Sequence, residues 1–184
     1  MPVAEIIAIG TELLLGEIQD TNTSYLARRL RDFGIDLYRS TIIGDNPARI
    51  AQCIKEALQR AQIVVTTGGL GPTIDDPTRQ AVALAFGVEL EFSENLWDQI
   101  QQKYRSYNRV PTENNRRQAY IPQGAVGIKN PVGTAPAWQA PVPACVDPVW
   151  FRRVESDYWV FSCARRVLSI SGSTAKTVPC RSPL

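Results

Sequence analysis

The sequence predicts an α/β fold with a parallel or mixed sheet covered on both faces by helices. Two observations carry this. Short apolar runs rich in Ile and Val recur at 5–9, 35–43 and 63–67, and segments with helical spacing separate them. Near-continuous apolar strands are those buried on both faces, as in sheets built from alternating strands and helices. A length of 184 residues and 44% hydrophobic content suffice for one ordinary domain with a real core.

The first run, Glu5-Ile6-Ile7-Ala8-Ile9, reads as a buried strand that ends in the turn Gly10-Thr11-Glu12. The capping residues Thr21, Asn22, Thr23 and Ser24 precede a helix over 25–33, in which Leu26, Leu30 and Phe33 share one face before Gly34 ends it. A second strand follows over 35–43. Asp45-Asn46-Pro47 then opens a second helix, with Ile50, Ile54, Leu58 and Ala61 at helical spacing and Cys53 on its apolar side. Residues 63–67 form the third strand, 77–86 a third helix, 88–92 a short strand, and 93–107 a longer helix carrying Leu96, Ile100 and Tyr104. Ligands of such sheets bind beyond the carboxyl ends of the strands, so Gly10-Thr11-Glu12, Gly44-Asp45 and the loop after the third strand are expected on one edge.

That third loop, Thr67-Gly68-Gly69-Leu70-Gly71-Pro72-Thr73-Ile74-Asp75-Asp76-Pro77-Thr78-Arg79, is the most informative stretch. Glycines let backbone N–H groups approach phosphate oxygens without Cβ obstruction, and a helix start adds free donors and a positive dipole end. No lysine follows Gly71, which excludes a P-loop, and the glycine spacing after a later strand argues against a dinucleotide fingerprint. The two carboxylates sit awkwardly beside a phosphate. Like charges about 4 Å apart repel by roughly 1 kcal/mol in water and about 4 kcal/mol near a protein surface, and a divalent cation between them would reverse the sign. The competing reading is a tight strand-to-helix turn with Asp76 as N-cap and Pro77 at the first helical position.

Other groups add to the candidate site. Glu12 and Asp45, with Asp75 and Asp76, are expected to offer oxygens to a hard cation such as Mg²⁺ or Mn²⁺, against the alternatives of a turn residue for Asp45 and a backbone cap for Glu12. A second polar turn, Asn130-Pro131-Val132-Gly133-Thr134-Ala135-Pro136, carries an amide and a hydroxyl suited to a ligand. Arg116 and Arg117 suit either a phosphate clamp or a solvated charged turn. Histidine is absent, so carboxylates must do any general-base work. The net charge of +2 and the lack of a basic cluster interleaved with aromatics indicate neither nucleic-acid nor membrane attraction. No apolar run has the length of a membrane span, the start of the chain lacks a signal-peptide layout, and the four scattered cysteines match no zinc motif, so a cytoplasmic location is expected.

Taken together, Ile9-Gly10-Thr11-Glu12-Leu13-Leu14-Leu15-Gly16, Asn22, the glycine loop with Asp75-Asp76 and Thr78-Arg79, and the turn from Asn130 to Pro136 resemble the N-terminal domain of the competence/damage-inducible protein CinA family. Order and spacing agree over about residues 3–137. That domain is of the molybdopterin-binding-like superfamily, with the MogA and MoaB type proteins. The resemblance implies a three-layer α/β/α fold with a mostly parallel sheet, and a divalent-metal-dependent (Mg, Mn or Co) ADP-ribose pyrophosphatase releasing AMP and ribose 5-phosphate. Carried over, Thr11, Asn22, Gly68, Gly69, Gly71, Thr73, Asn130, Gly133 and Thr134 would bind the nucleotide. Asp76 would orient water as a catalytic residue with Asp45, and Glu12, Asp45, Asp75 and Asp76 would hold metal. Two alternatives stay open: a molybdopterin-binding protein of molybdenum cofactor metabolism, and an inactive nucleotide binder. A small-molecule nucleotide is the expected partner, with self-association as a further expectation. Many relatives carry a C-terminal nicotinamide mononucleotide deamidase domain, for which this chain is too short.

The resemblance stops near Trp138. Residues 1–138 are expected as the domain and 139–184 as an unmatched tail, rich in cysteine and proline, that reads as frameshifted, recombined or diverged. Within it Tyr158-Trp159-Val160-Phe161 has strand character, and 169–184 reads as disordered.

Overall fold

The computed structural model describes residues 2–73, 75–130 and 133–141, together with the backbone of the strand Trp159–Cys163. The readings of 169–184, Cys145 and Cys180 lie outside these residues.

Six strands make the main sheet. β1 (Val3–Ile9), β2 (Asp36–Ile43), β3 (Ile63–Thr67), β6 (Val126–Ile128), β7 (Ala137–Pro141) and β8 (Trp159–Cys163) lie in the order β2-β1-β3-β8-β7-β6. β2, β1, β3 and β8 run parallel, β7 runs against them, and β6, antiparallel to β7, points their way again, so the fold is α/β with a mostly parallel sheet. β1 lies between β2 and β3 with both its faces buried: Ala4, Ile6, Ile7, Ala8 and Ile9 are at most 1% exposed. Its one charged residue, Glu5, is buried and held by a forked pair from Arg60, with Nε to Oε1 at 2.9 Å and Nη2 to Oε2 at 3.0 Å.

The helices divide between the two faces. α1 (Thr11–Leu14) is a single turn directly after β1, where the sequence suggested a plain turn. α2 (Thr21–Asp32) lays Leu26 and Leu30 with Ala4, Ile6 and Val65 on one face. α3 (Pro47–Leu58), α4 (Thr78–Phe86) and α5 (Glu94–Ser106) pack Ile50, Ile54, Leu58, Val82, Phe86, Leu96 and Ile100 in the other cluster. Pro47 stands at the start of α3 with Asn46 capping Arg49 N, as the sequence indicates. Cys53 packs half-buried against this core, and burial raises its thiol pKa above the ordinary value, so it stays protonated at neutral pH.

Three details depart from the sequence reading. α2 begins at Thr21, capped by Asp20, which accepts from Thr23 N at 2.9 Å; Asn22 is thus inside the helix and not its cap. α4 begins at Thr78 with Pro77 in the capping position, which leaves Asp76 outside the helix. The short strand after α4, β4 (Leu90–Phe92), pairs antiparallel with β5 (Tyr120–Pro122) in a separate two-stranded sheet. Between α5 and β5, α6 (Glu113–Arg116) runs into a 3-10 turn, Arg117–Ala119. The strand reading near Trp159 corresponds to β8, which pairs with β3 on one side and β7 on the other.

α5 approaches β6 closely because position 127 has no side chain. A Cβ on Gly127 would meet Leu96 Cδ2 at 2.5 Å, and Leu96 is 1% exposed with no room to turn away. Gly127→Ala is expected to destabilise the domain by about 1–3 kcal/mol in urea unfolding, with an unchanged m-value. Adding Leu96→Ala to Gly127→Ala should cost less than the sum of the two single changes.

Candidate functional site

The site forms where the parallel strands end. Ile9 pairs with Ile43 and Ala8 with Thr67, so the loops after β1, β2 and β3 leave the sheet side by side. Gly10 N donates to Ile43 O at 3.0 Å. Beyond it Thr11 and Asp45 clasp each other: Thr11 N donates to Asp45 Oδ2 at 2.8 Å, and Asp45 N donates to Thr11 Oγ1 at 3.2 Å. Asn22, the second residue of α2, reaches across and donates from Nδ2 to Thr67 Oγ1 at 3.0 Å. Thr11, Asp45, Asn22 and the glycine loop therefore come together on one edge.

The glycine loop turns off β3 at a residue that only glycine suits. Gly68 has φ 93°, and a Cβ there would collide with the carbonyl oxygen of Ile9. The loop's carbonyls are then tied inward. Thr78 Oγ1 donates to Gly68 O at 2.8 Å, and Arg79 Nη1 and Nη2 donate to Leu70 O and Gly71 O at 3.0 and 2.6 Å. Gln118 Nε2 adds a longer bond to Leu70 O at 3.4 Å. Its amides meet Asp76, whose Oδ1 accepts from Gly71 N at 2.7 Å and whose Oδ2 accepts from Thr73 N at 2.8 Å and Thr73 Oγ1 at 2.5 Å. Asp76 thus fills an anion-binding nest of its own loop.

Arg79 is among the residues that carry the resemblance, but sequence reasoning gives neither it nor Gln118 a role in the site. A legible signal exists for Arg79. It is the second residue of α4, where the helix dipole disfavours a cation, so an arginine there needs a specific acceptor. It is 6% exposed, and burial pulls its guanidinium pKa below the ordinary value while the Asp76 charge opposes that shift. Arg79, Thr73, Asp76, Arg117 and Tyr120 line a groove of about 420 Å³ outside the loop. Arg116 does not join them; it stacks over the Phe92 ring at 4.9 Å and pairs with exposed Glu113 at 3.8 Å.

The second polar turn belongs to the same edge, displaced by two strands. β7 runs antiparallel to β8 with Trp138 opposite Ser162, so the connection from β6 to β7 emerges beside the carboxyl end of β8. Asn130 holds it, donating from Nδ2 to Ala135 O at 2.7 Å and accepting Gly133 N on Oδ1 at 2.9 Å. Asn130, Gly133 and Thr134 line a second groove, of about 370 Å³, against α5.

Glu12, Asp45, Asp75 and Asp76 do not gather into one cluster: among the described residues no three Cys, Asp or Glu side chains are grouped as for a metal ion. The reason is local, since Asp45 and Asp76 spend oxygens on the backbone of Thr11, Gly71 and Thr73. Exposed Glu12, exposed Asp75 and the second oxygen of Asp45 remain. These remaining carboxylate oxygens are not brought together, so the described residues form no metal cage of their own. No helix among the described residues is long and apolar enough to cross a membrane.

Residues 5–156 match the family model described as "Probable molybdopterin binding domain". The chain belongs to this family. Within it the domain is of the CinA type. It is similar to a CinA-like protein of Nostoc sp., 53% identical over 133 residues that make up 72% of this chain and 31% of that protein. It is likewise similar to a CinA-like protein of Kosmotoga olearia, 48% identical over 133 residues, 72% of this chain and 32% of the other. The chain spans about a third of the length of these curated relatives. Among solved structures, the protein CinA of unknown function from Thermoplasma acidophilum superposes with a TM-score of 0.74 at 29% identity, covering 88% of each chain. MoaB from Pyrococcus furiosus, described as synthesising tungsten cofactor, superposes with a TM-score of 0.56 at 18% identity over 89% of this chain and 82% of that one, a likeness of fold alone.

Gly68→Ala in the CinA-type loop is expected to cost about 3 kcal/mol, read as a lower thermal midpoint, because both the backbone conformation and the Ile9 carbonyl oppose a methyl group.

Proposed function

We propose that the domain hydrolyses a nucleoside diphosphate sugar of the ADP-ribose type, giving AMP and ribose 5-phosphate. The observation that carries this reading is the convergence of the Thr11–Asp45 clasp, the Asn22–Thr67 bond and the Asp76-filled glycine turn on one sheet edge. A diphosphate brings acceptors richer in charge than a carboxylate. One phosphate entering the turn takes the Gly71 and Thr73 amides, which frees the Asp76 carboxylate to orient water toward phosphorus. Arg79 keeps the loop's carbonyls turned away, so that the ligand meets donors and not lone pairs. Thr11 and Asn22 flank the entering group, and Glu12, Asp45 and Asp75 are the residues that would hold a divalent cation with the phosphates. Such a cation, Mg²⁺, Mn²⁺ or Co²⁺, neutralises charge on phosphoryl oxygens when bound. A cytoplasmic setting and self-association belong to the same proposal.

A second reading, binding of a molybdopterin-like pterin phosphate without hydrolysis, is favoured by the family match over residues 5–156. The two readings part on turnover. Purified protein with ADP-ribose and each of the three metals is expected to release AMP, and Asp76→Ala is expected to slow release about 100-fold or more while retaining a cooperative unfolding transition. A folded sample that makes no AMP with any metal, yet binds a pterin phosphate, establishes the second reading instead.

A further inference from the structure

The carboxylate of Asp76 stands where neither the helix nor the backbone of the turn requires it. α4 begins at Thr78 with Pro77 in the capping position and no side-chain cap, so Asp76 is not spent on helix amides. The turn has a backbone closure of its own, Asp76 N donating to Thr73 O at 3.4 Å. Its carbonyls are held from behind by Thr78, Arg79 and Gln118, and none of those bonds involves the Asp76 side chain. The amides of Gly71 and Thr73 therefore stay converged when the carboxylate is elsewhere.

What the carboxylate does is occupy the turn. Oδ1 accepts from Gly71 N at 2.7 Å, and Oδ2 accepts from Thr73 N at 2.8 Å and Thr73 Oγ1 at 2.5 Å, so three donors surround one small anion. The chain leaves room for it at Gly71, where a Cβ would lie 2.5 Å from Oδ2, 2.7 Å from Oδ1 and 2.8 Å from Cγ. A negative charge is also wanted at this point. Arg79 is buried, which lowers its guanidinium pKa, and the Asp76 charge opposes that shift. Without ligand, Asp76 supplies the charge that a bound phosphate brings.

We propose that the Asp76 carboxylate is an autoinhibitory occupant of the glycine turn, displaced by phosphate ligands on entry and returning as they leave. This role rests on the phosphate-binding reading given above but concerns occupancy of the turn, not hydrolysis. A ligand that binds only when its site stands empty has its affinity reduced by the fraction of time the site is empty. A turn filled by Asp76 about nine-tenths of the time therefore holds phosphate about tenfold less tightly than a bare one. Phosphate monoesters, the class to which both AMP and ribose 5-phosphate belong, are held loosely for the same reason.

Inorganic phosphate tests this without turnover, titrated into metal-free protein in EDTA and followed by NMR. Asp76→Asn is expected to bind phosphate about tenfold more tightly than the wild type. Asp75→Asn removes the same charge from an exposed neighbour, and in about 0.5 M salt, where exposed charges are screened, it should stay within about twofold of the wild type. In the wild type, phosphate should shift the Gly71 and Thr73 amide resonances together with the Asp76 carboxyl carbon. No gain in Asp76→Asn, an equal gain in Asp75→Asn, unmoved Gly71 and Thr73 amides, or no binding of phosphate by any of the proteins overturns the proposal. If Asp76→Asn does not fold, the wild-type resonances decide. AMP release from ADP-ribose with metal, measured on the wild type, reports the hydrolytic reading separately. Exchange without AMP release leaves the occupant standing and removes the hydrolase, and AMP release without exchange does the reverse.

Discussion

The parallel register of β1 with β2 and β3 is the constraint on which the rest depends. Because Ile9, Ile43 and Thr67 end their strands together, three separate loops are delivered to one place without contacts of their own to gather them. The apolar composition of β1 enforces that register, since sliding it would pull Ile6 and Ile7 out of two cores at once. The Ile9 carbonyl then demands glycine at position 68, and the chain has only one direction in which to leave β3. Sheet order and loop chemistry are therefore one problem, solved at a single pair of strand ends.

What holds the glycine loop is a sorting of its polar groups by sign. Carbonyls of Gly68, Leu70 and Gly71 face donors on Thr78, Arg79 and Gln118, while amides of Gly71 and Thr73 face the carboxylate of Asp76. Each bond is modest, but the set leaves the loop little freedom to turn over. Arg79 is the expensive member: its charge is withdrawn from water, and it is compensated by two carbonyl dipoles with Asp76 nearby. Such an arrangement favours a single geometry more than it favours stability.

Much of this was legible in the sequence, for reasons that differ from element to element. Ile and Val runs broken by helical spacing gave the strands and helices of the parallel half, and Pro47 after Asn46 marked the start of α3. Asp20 is hard to pick out as the cap because four good capping residues follow it, and only its bond from Thr23 N shows where the helix starts, which leaves Asn22 free to reach Thr67. The separate pairing of β4 with β5 could not be read, since a three-residue strand carries no record of its partner. For the site, glycine spacing pointed to the right loop, whereas the carboxylates near it misled: proximity in sequence suggested one cluster, and local backbone donors took Asp45 and Asp76 in different directions.

The carboxylate seated in the glycine turn also sets a threshold. A turn that already holds a negative group discriminates by relative, not absolute, attraction: an arriving anion must outbid a tethered one whose effective concentration is high and constant. Singly charged solutes such as acetate or chloride offer nothing that Asp76 does not, and they compete only above the effective concentration of the tethered carboxylate. Only a group with more charge or more acceptors than a carboxylate displaces it. By keeping a carboxylate of its own in place, the loop sets that threshold against the small anions of its surroundings.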